Sequence, residues 1–229
     1  MKPISHPFQI IYQDAHLLVV NKAPGVLSMQ INHKGICLKS LLDDYLSRHG
    51  RPCHAHIVHR LDRETSGLLI VALSRPIQQT FINHWHELIL DRRYTALVEG
   101  QPDPPSGTLT SYLWEDRLYR VHTLPHADPA LNTKLAVTHY QTLQIIGNRS
   151  LVEFRLETGR KHQIRVHAAA LLHTPVVGDN KYGSTTIPTS KNSVPPRLML
   201  HAQSITFVHP MSRRRLSFQT PNPFVNDKL

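Results

Sequence analysis

Cysteine is scarce, with two in 229 residues, Cys37 and Cys53. That is too few for a disulfide framework, and neither has a partner at the spacing of a zinc site. Apolar residues make up 40% of the chain, yet no run approaches the roughly 20 positions that a membrane-spanning helix needs. Residues 1–16 lack the apolar stretch of roughly 7–15 residues that marks a secretory signal. Neither a phosphate-binding G-x-x-x-x-G-K-[ST] loop nor a G-x-G-x-x-G after a strand occurs, so nucleotide cofactors have no support. The histidine groups His54-Ala55-His56 with His59, and His84-Trp85-His86, lack H-E-x-x-H spacing and cysteine partners, so no metal is expected. Acidic residues are also few. Against 26 Lys and Arg there are 16 Asp and Glu, giving a net charge of +10. Such a balance favours a polyanionic partner, because neutralising phosphates gives affinity independent of sequence. The expectation is a soluble cytoplasmic protein without a membrane partner.

What is present alternates between short strands and single helices. Phe8–Tyr12 and Leu17–Val20 are strand-length apolar segments, and Pro24-Gly25 marks the turn after them. Leu38, Leu41, Leu42, Tyr45 and Leu46 fall on one helical face, with Gly50 just past its end. Residues 68–72 form a continuous apolar run, as in a strand buried on both faces. Ser74 can cap a second helix with Pro76 in its first turn and a stripe of Ile77, Phe81, Trp85 and Leu88. Strands are predicted over 94–98, 109–113, 136–145, 151–156, 205–208 and 216–218, and a helix over 161–172 with Ile164, Ala168, Leu171 and Leu172 inward. Runs of strands broken by single helices, with no strict βαβ alternation, indicate an α+β fold around a largely antiparallel sheet. Residues 114–135 and 183–197 read as long polar loops, which are commonly functional. No spare amphipathic helix or heptad is visible, so a monomer is expected.

Three segments carry chemistry. In His59-Arg60-Leu61-Asp62-Arg63-Glu64-Thr65-Ser66-Gly67 one carboxylate sits among arginines, directly before the buried strand. Neighbouring guanidinium groups favour the ionised form, which leaves Asp62 available as nucleophile or base; the alternative is a surface ion-pair loop. In Thr158-Gly159-Arg160-Lys161-His162-Gln163-Ile164-Arg165 a glycine turn leads cations into a helix start, a combination that suits anions; the alternative is a solvated cationic face. Tyr94 opens a strand beside the basic pair Arg92-Arg93, where packing is the commoner role.

Taken together and in order, these blocks resemble the RluA family of RNA pseudouridine synthases. The resemblance runs from about Ile10 to Phe218. It includes Tyr12-Gln13-Asp14, Val19-Val20-Asn21-Lys22, His59-Arg60-Leu61-Asp62 with Thr65-Ser66-Gly67, and Arg93-Tyr94. The Thr158–His167 block, Gly178-Asp179 with Tyr182-Gly183, and Arg197–Ala202 complete it. The chain departs where Ala23 moves the proline of the early turn one place, and where Leu135 stands for a common proline. The resemblance implies a short member of one catalytic domain over 1–229, without an S4 domain, acting without a cofactor on a stem-loop of rRNA or tRNA. It implies Asp62 as the essential carboxylate, Arg165 as its ion-pair partner, and Tyr94 as the ring that packs on the base. Arg60 would fill the space of the flipped nucleoside, and His59, Arg63, Thr65, Arg160, Lys161 and His162 would join it in touching RNA. A non-catalytic RNA-binding module is the rival reading, and such a module would be expected to lose the Asp62, Tyr94 and Arg165 combination.

Overall fold

The computed structural model describes residues 6–30, 36–51, 53–183 and 197–224. Its strands are β1 Phe8–Gln13, β2 Leu17–Lys22, β3 His56–Ile57, β4 Ser66–Ala72, β5 Ile89–Glu99, β6 Ser106–Glu115, β7 Val121–Leu124, β8 Lys134–Ile146, β9 Arg149–Leu156, β10 Leu200–Val208 and β11 Arg215–Gln219. Its helices are α1 Leu38–Arg48, α2 Arg75–Asn83, α3 Trp85–Leu88 and α4 Gln163–Ala170, with a single 3-10 turn at Pro129–Leu131. The chain divides into two compact units, Met1–Arg92 with Ala202–Pro221, and Arg93–His201 with Asn222–Leu229.

In the first unit β1, β2, β4 and β10 lie side by side in that order, β3 pairs with β4, and β11 with β10. The pairs β1–β2, β2–β4, β3–β4 and β10–β11 are antiparallel. Every residue of β4 is buried, as its continuous apolar run requires. Leu68, Ile70 and Ala72 meet Ile77 and Phe81 of α2, Leu88 of α3 and Ile205 and Phe207 of β10 in one core. Gly67 on β4 has φ +117°, and a Cβ there would lie 2.3 Å from the Ala202 carbonyl oxygen. Only glycine fits both the conformation and the approach. The α1 stripe buries Leu38, Leu42 and Leu46 as its spacing foretells. The second helix, read from sequence as one stripe through Leu88, instead breaks at His84 into α2 and α3. Ser74 holds the N-cap position of α2 in extended backbone, but its side chain makes no capping bond.

In the second unit the order is β5-β9-β8-β6-β7, antiparallel throughout. The sheet layers of both units are thus largely antiparallel with few helices, as expected. β5 begins at Ile89, so Tyr94 lies within a strand that it was expected to open. Residues 114–135 are no single loop: β6 extends to Glu115 and β7 pairs back on it, Trp114 opposite His122. Their rings stack at 4.7 Å. Most of 183–197 falls outside the described residues. Helix α4 starts at Gln163, two residues later than expected, because His162 takes a left-handed φ of 55°. Ile164 and Ala168 are buried as foretold, while Leu171 and Leu172 are half-buried. Val166 packs with Leu113, Val121, Ala136 and Tyr182 in the core of this unit.

Candidate active site

Asp62 is half-buried in the loop between β3 and β4, and the turn after β2 holds that loop in place. The ammonium of Lys22, fully buried, donates to the carbonyls of Ala23 (2.9 Å), Val26 (2.8 Å) and Arg63 (3.1 Å). Burial pushes it down to about 8, against the pull of the Glu64 and Asp62 charges. Ser28 exchanges two bonds with the Leu61 main chain, donating through Oγ to its carbonyl (2.8 Å) and accepting its N–H (3.1 Å). The Gly25 N–H donates to the Arg63 carbonyl (2.8 Å), and the Arg63 Nε returns a bond to the Gly25 carbonyl (3.1 Å). The Thr65 N–H closes the loop on the Asp62 carbonyl (3.2 Å). A loop with its carbonyls and amides fixed on both sides of residue 62 presents one backbone geometry, which a positioned carboxylate needs.

His59 anchors the loop's start. Its Nε2 accepts the Ile70 N–H (3.1 Å), so the ring is neutral, with its proton on Nδ1. Its imidazole meets the Trp85 ring at 5.5 Å, and the guanidinium of Arg92 lies 5.2 Å over the same indole. Burial drives His59 down to about 3, and the Arg92 charge adds to the shift.

In the second unit the Gln163 amide ties the Thr158–Lys161 turn to β8. Its Oε1 accepts the Arg160 N–H (2.9 Å) and the Thr158 hydroxyl (2.8 Å), and its Nε2 donates to the Val137 carbonyl (3.0 Å) and Thr138 Oγ1 (2.9 Å). Arg165 on α4 makes a two-pronged bond to Asp179, Nε to Oδ2 at 2.7 Å and Nη2 to Oδ1 at 2.8 Å. The same guanidinium lies 5.2 Å over the Tyr182 ring. The Tyr182 hydroxyl accepts the Val121 N–H (3.0 Å) and meets His162 Nδ1 (2.7 Å). Tyr94 is buried on β5, opposite Phe154. A groove of about 480 Å³ opens beside this turn, lined in part by Trp114, Glu115, Lys134, Arg160 and Lys161.

The first unit thus offers a carboxylate in a fixed loop and the second a held arginine and a basic groove; each suits chemistry on a nucleic acid, and the sequence as a whole agrees. Residues 16–170 match the family model described as RNA pseudouridylate synthase. The chain belongs to that family.

Within it the chain is of the RluA type. It is 34% identical to the dual-specificity RNA pseudouridine synthase RluA of Escherichia coli K12, over 94% of this chain and 93% of that one. It is equally identical to the ribosomal large subunit pseudouridine synthase D of Zymomonas mobilis, over 97% of this chain and 71% of the relative. The solved structure of human RNA pseudouridylate synthase domain containing 4 aligns with a TM-score of 0.74 at 26% identity, covering 94% of this chain and 88% of that one. The human domain containing 1 aligns at 0.73 and 28%, covering 98% and 88%. The protein is therefore an RNA pseudouridine synthase, an isomerase.

Among the residues expected to touch RNA in this synthase, Arg60, Arg63, Arg160 and Lys161 are exposed. Lys161 pairs with Glu115 and lies over the Tyr119 ring, and the Arg160 Nε donates to the Leu135 carbonyl (3.0 Å). Both precede α4 instead of forming its first turn, because His162 interrupts the helix. Thr65 is 3% exposed, and His59 and His162 each engage one ring nitrogen inside the protein. Sequence reasoning gave no role at the site to Lys22, Ser28, Gln163, Asp179 or Tyr182, and read Trp85 only as part of a helical stripe. Lys22, Gln163, Asp179 and Tyr182 stood in the family blocks, but nothing in their spacing named a partner. Among the described residues no group of three or more His, Cys, Asp or Glu could hold a metal, and no helix is long and apolar enough to cross a membrane.

Proposed function

We propose that this synthase isomerises uridines in structured ribosomal or transfer RNA, as a cytoplasmic monomer that needs no cofactor. The reaction is internally balanced. The N1–C1′ bond breaks, the detached uracil turns, a C5–C1′ bond forms, the C5 proton passes to solvent, and N1 takes up a proton in its place. Nothing is oxidised and no group is donated, so the protein must supply only position, charge and a route for one proton.

Asp62 is the essential carboxylate in this reading. Tyr94 packs on the base and assists loss of the C5 proton, and Arg165 is the cation that the resemblance pairs with the carboxylate. The target nucleoside must leave its stack, at a cost of a few kcal/mol that is smallest in a loop, and Arg60 takes its place. Arg63, Arg160 and Lys161 contact the RNA. The names of two relatives support this substrate class: one is called dual-specificity, the other ribosomal large subunit. The observation that carries the reading is the bracing of the Asp62 loop by Lys22 and Ser28, which holds the backbone of an acid in one geometry.

Tritium release from RNA labelled at uridine C5 tests it. The wild type should release label, and Asp62→Ala should release none. Release by Asp62→Ala would overturn the assignment, and mapping pseudouridine in total RNA with and without the protein identifies the target.

A further inference from the structure

We infer that Asp179 is a positioning residue for the reaction, acting by fixing the guanidinium of Arg165, with Tyr182 as the second half of the clamp. The inference rests on the proposed role of Arg165.

The carboxylate is set before the arginine meets it. Asp179 Oδ1 accepts the Lys181 N–H (3.0 Å) and the Tyr182 N–H (3.1 Å) from its own turn, and its side chain is 0% exposed. Arg165, 12% exposed, meets it through Nε and Nη2, the edge that matches a carboxylate fork. Those bonds use two of the five guanidinium N–H donors. The Nη1 pair is not used by Asp179 and is turned to a defined side by it. The Tyr182 ring beneath the guanidinium fixes the remaining degree of freedom, its plane. Tyr182 is itself held at its hydroxyl by β7 and by His162. One short segment, Asp179–Tyr182, therefore sets both the orientation of Arg165 and the left-handed residue that ends the basic turn.

A merely structural ion pair would explain less. Buried pairs are often replaceable by apolar residues without loss of stability, so stability alone gives little reason for this one. An arginine needed only for charge would not require a fork, a ring and a prearranged carboxylate. An arginine whose donors must point at a reacting group does.

The test is a double-mutant cycle on the full chain, read as kcat and KM for C5-tritiated RNA. Asp179→Asn should lower kcat about 100-fold, the scale of a misplaced catalytic group, with KM changed less than about threefold. Added to Arg165→Ala it should lower kcat no further, because the group it orients is gone. Tyr182→Phe keeps the ring and loses the hydroxyl anchor; a smaller kcat loss is expected, also absent in the Arg165→Ala background. If Asp179→Asn does not fold, as judged by circular dichroism, the Tyr182→Phe cycle decides. Losses that multiply across the cycle, or full kcat in Asp179→Asn, overturn the inference alone. Full kcat in Arg165→Ala removes the proposed role of Arg165 and the inference with it.

Discussion

The ammonium of Lys22 reaches the main-chain carbonyl of Arg63, 41 positions later in sequence, at 3.1 Å. One buried cation thus joins the turn after β2 to the residue that follows Asp62. Lys22→Met keeps the length of the side chain and strips the donor from three carbonyls. Leaving them unpaired should cost at least about 3 kcal/mol, measured by urea denaturation. Tritium release should fall on the order of 100-fold in the fraction that remains folded, because the loop loses its brace. A variant with wild-type stability and turnover would show that the brace is dispensable.

Three histidines set the acid limit of the fold. Burial pushes His167 down to about 4 and His59 to about 3, the Arg92 charge adding to it. Burial with the nearby Arg197 charge takes His201 to about 4. All three are neutral when folded, and each takes a proton near 6.5 when unfolded. Between about pH 6.5 and 4 the unfolded chain therefore binds more protons than the folded one, and stability falls as pH falls. The slope can reach about 4 kcal/mol per pH unit with all three acting. His167→Gln, which keeps a polar end near Ser111, should flatten it by about 1.4 kcal/mol per pH unit. Urea midpoints at pH 7, 6 and 5 measure this, and a constant midpoint contradicts it.

The groove beside the basic turn gives a salt-dependent prediction. Lys134 and Arg160 both line it. The double variant Lys134→Ala with Arg160→Ala should raise the Kd for substrate RNA. It should also reduce the slope of log Kd against log salt by about 1.4, the contribution of two single-strand phosphates. Filter binding from 50 to 200 mM salt is the check. An unchanged slope would place phosphate contacts elsewhere.

What the sequence discloses and what it hides follow from the range of the forces involved. Leu38, Leu42 and Leu46 announce α1 because a 3.6-residue repeat is a local property. The β4 run is legible for the same reason. The break at His84 and the late start of α4 are not, since each depends on one residue leaving helical geometry. Nothing local forces His162 left-handed; a tyrosine hydroxyl 20 residues away holds its ring. β7 escaped notice because four residues make a strand only by pairing with β6. At the site, Asp62 and Arg165 were legible as members of a pattern. The partners that hold the loop and the guanidinium were not, since Lys22 meets Arg63 and Arg165 meets Asp179 only through the tertiary fold.

The make-up of the first unit bears on how the chain is born. β4 lies between β2 and β10, and β10 is encoded about 130 residues after it. During synthesis this buried strand thus waits beside β2 with one flank largely uncovered, until β10 has left the ribosome. Bare strand flanks recruit other strands. Truncation before β10 should therefore yield aggregates, and slow translation of the segment between β4 and β10 should raise the demand for chaperones.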